Sequence, residues 1–441
     1  MSSDIPEGWK RRKIKEIGNV ITGSTPPTAD KEFYGKEFLF ITAKDFKETR
    51  YITESEKMLS KKGAEYLKNK GIPPHSVMVT CIGSDMGKVA LTKAEISFTN
   101  QQINTIIPNR KEVDPVFLYY ALRPFRNWIK SLGSGRGSAK PILPKSAFEE
   151  LEILLPPISE QQKIAEILGS LDDKIELNYE MNKTLEAIAQ AIFENWFVDF
   201  EPFKDKLIYN KELGKKIPEE WEVRKISEFF DMVKGRKCDL LEKCRDNSVG
   251  CLPYLTIETF EEGAVKYWTK EKHPFVEVED IVLVADGERA GKILRFKTGV
   301  LGSTLLMLKQ KSKNYDLRNY VFLLLKDMER ELMKHRTGSA VPHLDKGYLA
   351  NLKIIIPQPL SIIENFNKFV KPIFEKIILN LEEIATLRSI RDALLPRLLS
   401  GEIRVKVDVE EEFPEETKKL EDIGRKKAKI QVSLEEWLRH G

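Results

Sequence analysis

Cysteine is scarce in this chain, four in 441 residues, and its arrangement limits what it can do. Cys238, Cys244 and Cys251 cluster and His273 follows, but there is no C-x2-C knuckle and no matching set elsewhere. A structural zinc site is therefore not expected, and the thiols are expected to be reduced. Long apolar runs are missing too. Val321 to Leu325 and Ile354 to Ile356 fall well short of the roughly 20 residues that a bilayer span needs. The stretch Met1 to Lys13 has no apolar signal core, which points to a cytoplasmic protein. Neither sign of charge dominates: 72 Lys and Arg against 68 Asp and Glu leave a net +4, too mild a balance to mark a nucleic-acid binder by itself. With 41% hydrophobic and 32% charged residues, the composition is that of a soluble multidomain protein.

Catalytic signatures are also lacking. Gly133-Ser134-Gly135-Arg136-Gly137 matches a phosphate cradle only in glycine content, because no Gly-Lys-Ser/Thr follows. An amino-methyltransferase needs an Asn/Asp-Pro-Pro-aromatic motif to hold a flipped base. Asp114-Pro115-Val116-Phe117 comes nearest, and an Asp N-cap followed by Pro in the first helical turn explains it better.

What the chain does contain is a second copy of itself. Ile5-Pro6-Glu7-Gly8-Trp9 with Arg12-Lys13-Ile14 returns as Ile217-Pro218-Glu219-Glu220-Trp221 with Arg224-Lys225-Ile226, both 212 positions on (217 − 5, 224 − 12). Phe40-Ile41-Thr42 returns as Tyr254-Leu255-Thr256, Gly87-Lys88-Val89 as Gly291-Lys292-Ile293, Gly137-Ser138-Ala139 as Gly338-Ser339-Ala340, and Leu155-Pro156 as Ile356-Pro357. The small drift in offset places insertions in loops and preserves element order. Only two copies of so long a repeat argue for two similar globular units rather than a solenoid.

Each copy ends in a long helical pattern. One starts near Ser159, in a Ser-x-x-Gln capping box with Gln162, and runs to Val198; the other starts near Ser361 with Glu364 and runs to Leu399, with Pro372 and Pro396 as expected irregular points. Ile164, Leu168, Leu171, Ile175, Asn178, Asn182, Leu185, Ala189, Ile192 and Trp196 form a heptad seam that recurs 202 positions later, from Phe366 through Asn380 and Arg391 to Leu398. A helix of about 38 residues is roughly 57 Å long, so the second must run back along the first. Asn178 and Asn380 lie near the two midpoints and are expected to face each other, fixing the register of an antiparallel pair.

Within the copies, apolar runs such as Phe38 to Ile41, Val77 to Val79, Ile103 to Ile107, Ile281 to Ala285 and Leu305 to Leu308 indicate strands, and helical segments intervene near Pro115 to Leu122 and Asn319 to Leu332. The units are thus mixed α/β. Loops at strand ends, Ser84 to Lys88 and Asp286 to Lys292, are natural places for binding residues, and for contacts to bases where the ligand is DNA. Bidentate readout calls for Arg or Lys on guanine and Asn or Gln on adenine. The candidates are Lys88, Gln101, Gln102, Asn104, Arg136 and Lys140 in the first copy, and Arg236, Arg289, Lys292, Arg336 and His343 in the second.

With the duplication, the run Pro156-Pro157-Ile158-Ser159-Glu160-Gln161-Gln162-Lys163-Ile164 and the ending Leu398-Leu399-Ser400-Gly401-Glu402-Ile403, the chain resembles the specificity subunit of type I DNA restriction-modification enzymes over about residues 5 to 405. The resemblance implies target-recognition domains at 1–157 and 201–358, each reading one half of a split site on double-stranded DNA. It implies spacer helices at 158–200 and 359–405 that form an antiparallel coiled coil and act as ruler and docking surface for two methyltransferase subunits. A charged tail at 406–441 lies outside this core, and its Ser433-Leu434-Glu435-Glu436-Trp437-Leu438 is expected to form a short capped helix. Glu160 and Gln161, expected to stand exposed at the start of the first helix, are the candidate partner contacts; the second copy departs here, with Ile362-Ile363. The family also implies that S-adenosylmethionine, ATP and Mg2+ belong to partner subunits, with no cofactor and no catalysis in this one. Restriction or translocase subunits are a further partner class left open. The competing readings are a stand-alone DNA methyltransferase or nuclease and a duplicated protein-binding scaffold without DNA contact.

Overall fold

The two copies fold into matching sets of strands. The computed structural model describes residues 5–47, 49–83, 85–134, 142–241, 250–261, 263, 265–338, 341–405 and 418–427. In the first copy a five-stranded sheet runs in the order Gly18–Thr22, Ile103–Pro108, Val77–Thr80, Val89–Thr92, Tyr51–Ile52. The second copy repeats its first four members as Phe230–Lys234, Leu305–Gln310, Ile281–Val284, Ile293–Leu294. A companion sheet of Lys57–Leu59, Tyr34–Ile41 and Ser97–Thr99 recurs as Tyr267–Thr269, Leu252–Leu255 and Gly299–Leu301, with Phe275–Val276 added at its edge. The repeated Arg-Lys motif opens each copy as a strand that closes it. Lys10–Lys13 pairs antiparallel with Glu152–Leu155, and Glu222–Lys225 with Lys353–Ile356. Val77–Thr80 and Ile281–Val284 are buried at every position, which is why their sequences show continuous apolar runs instead of alternation.

The mixed α/β class and the internal repeat are therefore as expected. The chain divides into two compact units, Met1–Leu177 with Thr386–Lys419, and Asn178–Ala385 with Leu420–Gly441. Each unit thus takes part of both long helices, which run over Ile158–Phe193 and Ser361–Ser400. A π-helical turn, Glu194–Val198, continues the first. Among the described residues no helix is long and apolar enough to cross a membrane, and no group of three potential metal ligands forms. Cys81 and Cys238 are free, whereas Cys251 is disulfide-bonded, which corrects the expectation of reduced thiols throughout.

Helix starts differ from the expected capping boxes. The carbonyl of Pro157 accepts from the Glu160 and Gln161 amides, so the first helix is closed by backbone before Ser159. Leu360 does the same for Ile363 and Glu364. Pro372 and Pro396 do not interrupt the second helix. Each removes one hydrogen bond, but Val370, Ile373, Ile377, Leu394 and Leu398 on either side are buried and hold the seam. Gly401 ends that helix at φ +75, and a Cβ there would meet Pro6 Cγ at 2.6 Å, so the close approach of the opening motif requires glycine.

The helices pair antiparallel inside each unit. In the first unit Arg391 Nη1 donates to Asp172 Oδ1 at 2.6 Å. In the second, Asn380 Nδ2 donates to Asn182 Oδ1 at 2.6 Å and Asn178 Nδ2 to Glu383 Oε2 at 2.8 Å. As the first helix ascends from 178 to 182 the second descends from 383 to 380, so direction is as expected. The asparagine partnership is not. Asn380 meets Asn182, one turn from Asn178, and Asn178 is instead reached by Lys427 at 3.4 Å from the helical segment 418–427. The reason is arithmetical: the contacts join positions summing to 561 (178 + 383) and 562 (182 + 380), whereas Asn178 and Asn380 sum to 558. Ser433 to Leu438 lie outside the described residues.

Candidate nucleic-acid interface

Both units present side chains at the end of their central strand, Val77–Thr80 in one and Ile281–Val284 in the other. The turn that follows is shaped by a repeated glycine. Gly87 and Gly291 have φ of +81 and +96, and a Cβ would lie 2.7 Å from Arg126 Cα or 3.0 Å from the Leu332 carbonyl carbon. These turns therefore pack directly on a helix backbone, and the loop is positioned by the fold.

In the second unit several sequence-predicted residues converge. Asp286 forms an isolated antiparallel bridge with His343, and His343 Nδ1 lies 2.8 Å from Asp286 Oδ1. Lys234, at the end of Phe230–Lys234, pairs with the other oxygen of Asp286. Burial pushes the Asp286 carboxyl up, but the hydrogen bonds and charges of Lys234 and His343 outweigh it and hold this acid below its ordinary range. Arg336 donates to the Glu288 carbonyl at 2.7 Å. Arg289 and Lys292 both pair with Glu261. Arg236 is exposed, and its backbone bridges Gly302. The result is a polar, charge-ordered patch built on strand ends.

The same position in the first unit has different chemistry. The equivalent bridge joins Ile82 to Ile142, and Ile142 is 47% exposed. Thr22 stands where the second unit has Lys234, and donates to Asn104 Oδ1 at 2.7 Å. Asn104 is only 3% exposed. The expectation that it reads bases is corrected: it lies on a strand flanked by Gly18–Thr22 and Val77–Thr80, faces the sheet interior, and has its carbonyl engaged. Gln101 is exposed and accepts from Thr25 at 2.6 Å; Gln102 is half-buried and accepts from Asn100 at 3.1 Å. Lys88 pairs with Asp85 at 3.0 Å. Arg136 and Lys140 lie outside the described residues.

Glu160 and Gln161 are not the exposed pair expected. Glu160 accepts from Trp9 Nε1 at 3.2 Å and pairs with Arg404. Gln161 is fully buried, accepting from the Asp114 amide and donating to the Glu112 and Pro156 carbonyls. The departure at Ile362-Ile363 is accordingly a change of core: Ile363 is buried, and Trp221 packs on Phe197, Phe200 and Phe203. Sequence reasoning misses Lys234, the role of Asp286 at the start of its candidate loop, and Glu261. The signal that points to the first two is their place at the ends of two strands that recur in both copies.

The chain is thus a duplicated α/β protein whose units carry unlike chemistry on equivalent strand ends, each with its long helices paired. Comparison gives the family. Residues 6–187 and 218–388 match the type I restriction modification DNA specificity domain. The chain is 33% identical over 428 residues to the type I restriction enzyme MjaIX specificity subunit of Methanocaldococcus jannaschii, covering 91% of this chain and 95% of that one. It is 39% identical over 154 residues to the HindI specificity subunit of Haemophilus influenzae, covering 34% of this chain and 33% of that one. The crystal structure of a type I restriction-modification S subunit from M. genitalium superposes with a TM-score of 0.54 at 18% identity, covering 90% of this chain and 97% of that chain, a likeness of fold. The chain belongs to the type I restriction-modification specificity subunits, whose task is DNA target specificity.

Proposed function

We propose that the two units read different halves of one split, asymmetric DNA target, that the helix pair sets the unread gap, and that partner methyltransferase subunits carry out the chemistry. The observation that supports this is the bridge after the central strand: Ile82 with Ile142 in one unit, Asp286 with His343 in the other. An apolar pair suits contact with a thymine methyl, whereas a His–Asp–Lys group suits hydrogen bonding to base edges. Equivalent positions with unlike chemistry favour unlike half-sites.

The chain itself would be non-catalytic, acting in the cytoplasm, with S-adenosylmethionine, ATP and Mg2+ bound by two methyltransferase subunits and any restriction subunits that join them. The Asp114 carboxylate accepts from the Val116 and Phe117 amides at 2.9 Å each. It serves as a helix cap, which weighs against its holding a flipped base. Exchanging residues 6–155 for the same region of a relative is expected to change one half of the target and leave the other. Methylation mapping that finds both halves altered would overturn modular reading.

A further inference from the structure

Each unit has a crevice where the short helices of its recognition domain meet a long helix. The two crevices overlap in their place in the repeat and differ in charge, the first lined by cations and the second by both signs. In the first unit a cavity of about 370 Å3 is lined by Lys47, Lys88, Arg123 and Arg126, with Leu395 and Pro396 of the second long helix, and no carboxylate is among its described lining residues. Lys47 and Arg126 are exposed and form no ion pair or side-chain hydrogen bond among the described residues. Arg123 reaches Asp172 only at 3.8 Å, and its buried Nη1 has no hydrogen-bond partner among the described residues.

The second unit supplies the comparison. Its crevice, about 520 Å3, is lined by Glu194, Lys326, Asp327, Glu329 and Arg330 among others. The repeat matches Thr42 to Thr256, and both start a turn closed by the third residue on, Asp45 or Thr259. Counting on from there, Lys47 corresponds to Glu261 (47 + 214). Lys88 corresponds to Lys292 (88 + 204), and Arg126, after the matching helix, to Glu329 (126 + 203). Glu261 pairs with Lys292, and Glu329 pairs with Lys326 at 3.0 Å while accepting from the Ile293 amide at 2.9 Å. Carboxylates of the chain itself thus neutralise the second unit's cations at these equivalent positions, Glu329 within the crevice and Glu261 outside its lining. In the first, cations stand where those acids would be.

We infer that the crevice of the first unit takes its anion from outside, and that this anion is a phosphate of the DNA backbone. This rests on the reading of the chain as a DNA-recognition subunit. Lys47 and Arg126 are the unpaired cations that would hold it, while Lys88, paired with Asp85 at 3.0 Å, ties the crevice to the loop that follows the central strand, so a phosphate held there lies on the duplex segment facing that loop. Such contacts fix register on the duplex without reading sequence. The second unit, self-neutralised at this place, makes no equivalent contact.

The test uses the full chain assembled with its methyltransferase partners, binding target and unrelated duplexes across about 50 to 200 mM salt. Replacing Lys47 and Arg126 together by Ala is expected to weaken both duplexes alike by about ten-fold, and to shrink the log–log salt slope by about 0.9 for each phosphate no longer neutralised. The ranking of half-site sequences stays as it was. Lys47→Glu is expected to weaken binding further, because a carboxylate there can pair with Lys88 as Glu261 does with Lys292. If the unsubstituted assembly binds its target specifically and the double variant keeps its slope, the crevice proposal is wrong while the DNA-recognition reading stands. If the unsubstituted assembly shows no specific binding, that reading itself fails. Two results with an unmoved slope identify other occupants and overturn the proposal: loss of an inorganic phosphate isotherm measured without DNA, or weaker partner assembly by native mass spectrometry.

Discussion

Asn380 donates its side-chain amide to Asn182 Oδ1 at 2.6 Å, and both residues are buried between the paired helices. The pair is half satisfied, because Asn182 Nδ2 and Asn380 Oδ1 have no hydrogen-bond partner among the described residues. Replacing only Asn380 by Leu strands the Asn182 amide and is expected to cost about 1–3 kcal/mol. Replacing both by Leu removes every unpaired atom and is expected to restore or exceed the original stability. Thermal melts of the two single variants and the double variant form a cycle that isolates the coupling. Simple additivity would mean that the two side chains do not interact.

Asn178 belongs to a different contact, with Glu383 and Lys427. Twofold symmetry of the repeat would pair Asn178 with the counterpart of Asn182, which is Ile384 (182 + 202). An isoleucine cannot satisfy the amide, and the segment 418–427 supplies the missing polar group, with Ile423 buried beside it. Lys427 pairs with Glu383, and both side chains are nearly buried. Lys427→Ala leaves that carboxylate underneutralised and is expected to cost about 3 kcal/mol. Adding Glu383→Gln is expected to recover much of the loss. Chemical denaturation that shows no loss for Lys427→Ala would remove the tail segment from the helix pair.

The repeat, several of the core strands and the two seam faces were legible in the sequence, because apolar periodicity records which side of an element is buried, whereas the order of strands in the sheets was not. Nor was the helix register. A heptad seam tolerates a slip of one turn with the same faces inward, and only side-chain partners such as Asp172 with Arg391 decide it. Surface roles were the hardest to see: Asn104 and Gln161 have the residue types of readers and docking groups, yet both are buried and hydrogen-bonded inside the first unit. Lys234, and the part Asp286 plays in its loop, escape notice because a single charge at a strand end looks like any solvated residue until its partner is placed beside it.

Arg391 occupies a buried seam position and is held there by Asp172, which also accepts from the Tyr120 hydroxyl at 2.6 Å. Removing one charge of a buried pair is more damaging than removing both. Asp172→Asn is expected to cost about 3–5 kcal/mol, read as a lowered denaturant midpoint, and Asp172→Asn with Arg391→Met to recover most of it. A double variant no better than the single one would show that Arg391 is satisfied by its other partner, Asp392.

At the second recognition surface, Asp286→Asn is expected to change base preference in one half-site by about 1–3 kcal/mol per affected base pair, with the other half unmoved. The pH dependence has a definite sign. Since Lys234 and His343 hold the Asp286 carboxyl below its ordinary range, its contribution is complete above the unfolded value and is lost as pH falls through the lowered folded value. Mild acidification should therefore leave the Asp286 contact in place. Binding to duplexes with single substitutions in each half checks the point, and a change appearing in both halves would contradict it.

The helix pair offers the most direct test of spacing. The contacts of Asn182 with Asn380 and of Asn178 with Glu383 put its centre near Glu180 and Glu382, the positions related by 202 whose sum, 562, matches the observed register. Inserting four residues after each of these two glutamates adds about one turn, roughly 6 Å, to both helices, and turns the seam of each by only about 40°, a stutter that the two helices share. An insertion in one helix alone would shift Asn182 away from Asn380 and uncouple the seam. The paired insertion is expected to lengthen the unread gap by one or two base pairs, at roughly 3.4 Å each, with both half-site sequences retained. Methylation mapping of a strain carrying the altered chain reads the gap directly. An active protein with an unchanged gap would mean that something other than these helices sets the distance.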